Sequence, residues 1–463
     1  MSEDELQERD DPSGETDAYA LDNRKVGQIL GAVELGAAER LDELLEPLHA
    51  ADIADLLEQI APGERRDLLA LWSAGIDGEV LSELDDSLRA EVIEYLPADV
   101  LARAVRALES DDVVDLVEDL EPPQQGVVLS ALEEADRAAV EQALTYPEYT
   151  AGRLMQRELV MAPAHWSVGD AIDYMRAEED LPEQFYHIMI VDPRHKVIGQ
   201  VALGRLMASR RDVRLTDIMD EDFVPMPVTQ SQEDVAYAFN QYHLITAPVV
   251  NEDERIVGVI TIDDAMAVLS EEAEEDILRL AGAGEGRLSD GILETVRRRF
   301  PWLFVNLLTA IAASVVIAQF TGVIEAIVAL AVLMPIVASM GGNAGTQSLT
   351  VAVRAIATKD LTGSNALRVV RREAVAGLLN GLAFAVIMGV VGVLWFGTPV
   401  LGAVIGIAMV VNLVIAALAG ILIPMGLERL GIDPALASGA FVTTVTDVVG
   451  FFAFLGLAAV LML

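Results

Sequence analysis

From Pro301 to Leu463 the chain carries only six acidic residues, Glu325, Asp360, Glu373, Glu428, Asp433 and Asp447, although the whole sequence holds 73 Asp and Glu against 31 Lys and Arg. No other feature constrains the fold as strongly. Five apolar stretches fill this region, at residues 301–320, 323–355, 374–396, 400–427 and 434–463. Each is long enough for a bilayer, which asks for roughly 20 residues per helix. The chain of 463 residues therefore divides into an acidic part built for water and an apolar part built for lipid.

Basic residues set the orientation of such spans. Arg297, Arg298 and Arg299 precede the first, and Arg354, Lys359, Arg368, Arg371 and Arg372 separate the second from the third. The links QFTG and FGTP carry none. This predicts a cytosolic N-terminus and an external C-terminus in a multi-pass protein of the cell membrane, with Trp302 and Trp395 anchored at opposite lipid interfaces.

A net charge of −42 excludes nucleic acid as the natural partner. It admits metal cations, and equally a halophilic adaptation to a salt-rich cytosol. Lysine occurs only at Lys25, Lys196 and Lys359, and salt screens the self-repulsion of an acidic surface. Most of the acids are read this way. The chain has no cysteine, which excludes disulfides and thiolate metal sites. Residues 1–24 are polar and acidic, without a basic n-region or apolar core, and read as a disordered tail with no cleavable signal peptide.

Residues 25–146 read as a series of short amphipathic helices recurring at about a dozen residues, with apolar positions at i, i+3 and i+4. One such helix cannot bury its own face, so a stacked superhelix is expected. Residues 147–269 contain a duplication that places Met155 over Met219, Val160 over Val224 and Ser167 over Ser231. Each half reads β-α-β-β-α and resembles one member of a tandem pair of CBS (cystathionine-β-synthase-type) modules. Such pairs often bind adenosine nucleotides, so ATP is a candidate ligand. The family run G-h-h-T-x-x-D is matched from Gly258 through Thr261 to Asp264. In the first half Ala202 and Arg205 have replaced both polar positions. One nucleotide site and an empty pair both remain open. Residues 270–300 read as an acidic connecting helix, a glycine-rich break and a second amphipathic helix, ahead of a transmembrane domain at 301–463.

Two anomalies interrupt the apolar spans. In the second, Pro335, Gly341, Gly342 and Gly345 loosen the helix, and Asn343, Thr346 and Gln347 add polarity. Gly341 and Gly345 form a packing G-x-x-x-G, while the polar additions favour a water-lined path. The other anomaly is Asp447, midway along the last span. A carboxylate there costs roughly 2.5–3.5 kcal/mol on insertion scales, and that span contains no Lys, Arg or His.

Taken together, the helical array, CBS pair, connecting helix, five spans, MPIVASMGGNAGTQS and DPALASGAFVTTVTDVVG resemble the MgtE magnesium channels from about Lys25 onward. The resemblance implies a homodimer in membrane lipid, selective for Mg²⁺ and closed by cytosolic Mg²⁺. It places the pore at Asp447 and Asp433, with Gly342, Asn343, Gly345 and Thr444 beside them. It implies regulatory Mg²⁺ sites at Asp111, Asp115, Glu233, Asp264, Glu272, Glu275 and Asp276. Gly439 stands where some members have Asn, and Ala267 replaces a family acid. For each regulatory acid a solvated surface role stays open. Transport of Co²⁺ or Mn²⁺, and a nucleotide-sensing scaffold that transports nothing, are the competing functions. No nucleophile motif, acid/base pair or P-loop suggests an enzyme.

Overall fold

The computed structural model describes residues 21–118, 120–178, 181–182, 184–282 and 292–463. The acidic tail and the glycine-rich break expected after residue 282 lie largely outside them. The chain forms two units, Met1–Leu269 and Ser270–Leu463.

In the first unit a run of short helices comes first: α1 (Asn23–Glu34), α2 (Ala38–Leu45), α3 (Ala50–Gln59), α4 (Pro62–Trp72), α5 (Gly78–Glu83), α6 (Asp86–Tyr95), α7 (Ala98–Ala107), α8 (Ser110–Glu118), α9 (Pro122–Ala131) and α10 (Glu134–Ala143). Contacts skip along the chain, α3 on α5, α5 on α7 and α7 on α9, as a superhelix requires. Leu41, Leu57, Leu68, Leu81, Val92 and Val105 form part of one continuous core.

A polar device recurs between these helices. The fourth residue of α4, α6, α9 and α10 is Arg65, Arg89, Gln125 and Arg137, and each donates to the carbonyl five residues earlier: Ile60, Leu84, Leu120 and Leu132. Those carbonyls end the preceding helix, where no intrahelical donor reaches them. Arg65 and Arg89 are each only 3% exposed, so their charge needs a partner. Glu91 supplies it to Arg65 at 2.7 Å, and Asp115 to Arg89 at 2.7 Å.

After the short α11 (Ala151–Leu154) the duplication follows: β1 (Val160–Pro163), α12 (Val168–Ala177), β2 (His187–Val191), β3 (Val197–Ala202) and α13 (Leu203–Ala208), then β4 (Met226–Pro227), α14 (Gln232–Tyr242), β5 (Thr246–Val250), β6 (Ile256–Thr261) and α15 (Ile262–Ala281). In both halves the first strand is parallel to the second and the second antiparallel to the third. Ser167 and Ser231 cap α12 and α14, each accepting the N–H three residues on. The halves exchange their leading segments. Gln156 and Val259 trade both backbone hydrogen bonds at 2.9 Å, and Gln200 and Asp220 do so at 2.8 and 3.0 Å. Met155 fills the space above Gly258, and Met219 that above Gly199. Their alignment in sequence reflects this exchange.

The division between the units falls within α15, and the second unit continues with α16 (Ile292–Ala318), α17 (Thr321–Ala326), α18 (Ala329–Ala357), α19 (Ala366–Phe396), α20 (Pro399–Arg429) and α21 (Pro434–Met462). Among the described residues, five helices are long and apolar enough to cross a membrane: α16, α18, α19, α20 and α21.

The sequence boundaries need three corrections. The stretch expected as one span at 323–355 is two helices, because Ile327 leaves helical dihedrals at φ −135°, ψ 81°. The amphipathic helix expected before Pro301 and the first span are one helix, with Pro301 inside it. The third span begins eight residues earlier, at Ala366 instead of 374. The helix expected to loosen at Pro335 and its glycines is also continuous from Ala329 to Ala357.

Lipid tails give helices no hydrophobic reason to associate, so small residues that admit close backbone approach do the work. Gly377 and Gly381 of α19 rest on Leu413, Val414, Ala417 and Val410 of α20, and Gly402 of α20 rests on Gly389. In α20, 67% of the apolar window is buried, against 6% in α16 and 11% in α19. The fourth span is therefore the centre of the bundle, with α18, α19 and α21 packed round it.

Candidate functional site

In the first unit, α8 and the start of α15 bring acids together. Asp111 is buried and its carboxyl sits well above the usual range, through burial first and then the nearby Asp264 and Asp112. Burial also pushes Asp112 to about 7, helped by Asp264 and Asp115. Glu109 rises to about 7 by burial, Glu158 and Asp112. Asp264 rises to about 6, chiefly by burial, although the Thr261 hydroxyl donates to it at 2.6 Å. The cluster is held from behind. Ser110 donates to Glu158 at 2.7 Å while accepting the Arg157 N–H, and Arg153 of α11 pairs with Glu118 of α8 at 2.8 Å.

Asp111 and Asp264 are thus close enough for each carboxyl to feel the other's charge. Asp115 is turned instead to Arg89 and is 63% exposed. Glu233 lies exposed in the first turn of α14. Among the described residues no three acidic or histidine side chains converge as a metal cage. Mg²⁺ does not need one, since it usually keeps several waters and takes one or two carboxylates.

Beside this cluster, between the two halves of the duplication, a small open cleft is lined by Gln156, Tyr186, His187, Thr246 and Thr261 among others. Burial lowers the pKa of His187, which keeps that ring neutral.

In the second unit the connecting segment carries a second group of acids. Arg279 pairs with Glu275 one turn earlier and with Asp433 at 2.6 Å. Asp433 also caps α21, accepting the Ala435 N–H at 2.7 Å. Asp276 rises to about 6 through burial, then Asp433 and Glu272. Two expected ligands, Glu275 and Asp433, are therefore committed to an arginine, and for Asp433 that partner lies 154 residues away in sequence.

Further along, α18 and α21 carry a polar face outward. Asn343, Thr346, Gln347 and Thr350 fall on one side of α18 at i, i+3, i+4 and i+7, and all are exposed. On α21, Thr443 is exposed and Thr444 and Asp447 are half-buried. Thr346, Thr350, Thr443 and Thr444 donate their hydroxyl protons to carbonyls four residues back, at 2.6 to 3.0 Å. What they turn outward is lone pairs. With the Asp447 carboxylate on α21, each of the two helices offers acceptors of the kind that suit the donating waters of a hydrated cation. Gly342 has open space above it. Gly345 does not face this side, because it packs against Val442 of α21, the packing role open to it in sequence.

Residues 334–457 match the MgtE family, described as a divalent cation transporter, residues 48–149 match the MgtE intracellular N domain, and 151–212 and 215–271 match the CBS domain. The magnesium transporter MgtE of Enterococcus faecalis is 35% identical over 324 residues, 70% of this chain and 71% of that protein. The magnesium transporter MgtE of Thermus thermophilus is 35% identical over 334 residues, 72% of this chain and 74% of that protein. A crystal structure of the cytosolic domain of the Mg²⁺ channel MgtE in complex with ATP aligns with 52% of this chain and 99% of its own, at 28% identity and a TM-score of 0.49. On the strength of its curated relatives, this chain belongs to the MgtE family.

Proposed function

We propose that this protein carries Mg²⁺ across a membrane through a pore lined by α18 and α21 of two copies, and that Mg²⁺ on the cytosolic side closes it. The observation that carries the reading is the set of polar groups at Asn343, Thr346, Gln347 and Thr443, all exposed, and at half-buried Asp447, on helices otherwise fit for lipid. Lipid cannot satisfy such groups. A second copy and water can. Two-fold symmetry gives the path two Asp447 carboxylates, Thr444 and the open backbone at Gly342 lie beside it, and Asp433 stands at the start of α21. Mg²⁺ sheds water reluctantly, so a path of acceptors that hold its water shell fits the ion.

For closure, carboxylates with raised pKa values are acids in want of a cation. Asp111 and Asp264 are the leading regulatory ligands. Asp115, Glu233, Glu272, Glu275 and Asp276 are further candidates, Asp115 and Glu275 only after parting from Arg89 and Arg279. Thr261, whose hydroxyl already orients Asp264 at 2.6 Å, offers the cleft beside it one adenosine nucleotide site. The basic residues at both ends of the α18–α19 link and in the N-terminal part of α16 support a cytosolic N-terminus and an external C-terminus.

The test is uptake by the full chain reconstituted in liposomes. External Mg²⁺ should enter when Mg²⁺ is low at the acidic units, and entry should stop when it is raised there. Absence of Mg²⁺ uptake in a folded preparation removes the proposal.

A further inference from the structure

We infer that Asn412, in the middle of α20, is a positioning residue of the pore: its amide is the spacer that sets the distance and register of α18 and α21 behind the ion path. The inference rests on the reading that those two helices line the path. Asn412 is fully buried in the middle of the bundle's central helix. Its Nδ2 donates to the Val337 carbonyl of α18 at 2.8 Å. A Cβ built on Gly341 of α18 would run into this amide, and one on Gly450 of α21 would come within 2.7 Å of Nδ2 and 3.1 Å of Oδ1. One side chain therefore touches the backbones of both helices, at places where each has no side chain of its own.

The level is that of the ion path. Gly341 stands two residues before Asn343, and Gly450 three after Asp447. The bond to Val337 also lands where α18 is easiest to bend, because Pro335 leaves the Ala331 carbonyl without its helical donor. The amide braces that turn.

Stability alone does not account for an asparagine here. Its Oδ1 is buried with no donor, and its neighbours on α20, Met409, Leu413 and Ala416, are buried and apolar. Removing one partner of a buried hydrogen bond is nearly neutral only where the other stays satisfied, and the Val337 carbonyl lies within the continuous helix α18, where its own turn supplies a donor. What leucine cannot supply is the bond to Val337 and the flat amide edge between two glycines.

The decisive variant is Asn412→Leu in the full chain, assayed in proteoliposomes and by thermal unfolding in detergent. The melting temperature should equal or exceed the parent's, while Mg²⁺ uptake falls by roughly tenfold or more and discrimination against Ca²⁺ weakens, because misplacing ion-contacting groups by an ångström is costly. Parental uptake and discrimination in folded Asn412→Leu protein overturn the inference. Should that variant not fold, Gly450→Ala drives a methyl into the amide and should lose uptake in the same way. Asn412→Ser added to Gly450→Ala relieves the clash but also removes the amide and its bond to Val337, so uptake should stay low, and parental uptake in that double variant overturns the inference. Asp447→Ala is run alongside. If it abolishes uptake while Asn412→Leu does not, the spacer role alone fails; if it too is without effect, the pore reading fails and takes the spacer with it.

Discussion

Asp447→Asn is expected to cut Mg²⁺ uptake by on the order of a hundredfold, the rate equivalent of about 2.7 kcal/mol. Asparagine keeps the shape and an acceptor oxygen, so the change isolates charge from packing. Asp447 is half-buried and makes no hydrogen bond or ion pair among the described residues, whereas Thr446 and Gly450 on the same helix are buried against neighbours. The variant should therefore elute as the parent does on gel filtration. In the proposed pore of two copies, both negative charges vanish at once. Parental uptake in a well-folded Asp447→Asn protein would make the carboxylate a structural group and move the search to Asn343 and Gln347.

The second large effect concerns the acids of α8 and α15. Carboxylates free in an unfolded chain titrate near 4, while Glu109 and Asp112 titrate at about 7 and Asp264 at about 6 in the folded unit. Between those values the folded unit binds more protons than the unfolded chain, so its stability falls as pH rises from about 4 to about 7. On the proposed regulatory reading, Mg²⁺ takes the place of the lost protons. In the full chain, amide protection of α8, taken relative to the intrinsic exchange rate at each pH, should be high at pH 5 whether or not Mg²⁺ is present. At pH 8 it should be low in a chelator and high again with Mg²⁺. Asp111→Asn with Asp264→Asn should remove this response to Mg²⁺, and uptake should then persist at internal Mg²⁺ that shuts the parent. Protection that ignores both pH and Mg²⁺ would leave these residues a solvated surface.

Much of this organisation was legible in the sequence, because long-period signals survive in a single chain. Apolar length and scarcity of acid marked the membrane helices, and the duplication gave the paired modules down to the caps at Ser167 and Ser231. The boundaries that failed had no local signal. Nothing at Ile327 resembles a helix breaker, and Pro301 and Pro335 look like breaks but sit inside helices whose neighbours hold them. The charged pairs failed for another reason. Arg89 reaches Asp115 across 26 residues and Arg279 reaches Asp433 across 154, distances only the fold can close. Asn412 was passed over because one uncharged amide in an apolar run carries no period and little hydropathy penalty. Its role lies in the two glycines facing it.

The most direct test of the account is water access to the polar face. The chain has no cysteine of its own, so single substitutions report without background. Gln347→Cys and Thr443→Cys would place a thiol on that face, and Val386→Cys, 68% exposed on α19, would place one toward lipid. In proteoliposomes a charged, membrane-impermeant thiol reagent should label the first two quickly, more slowly when Mg²⁺ is present, and the third hardly at all. Labelling at 347 and 443 as slow as at 386, and indifferent to Mg²⁺, would contradict a water-filled path along α18 and α21.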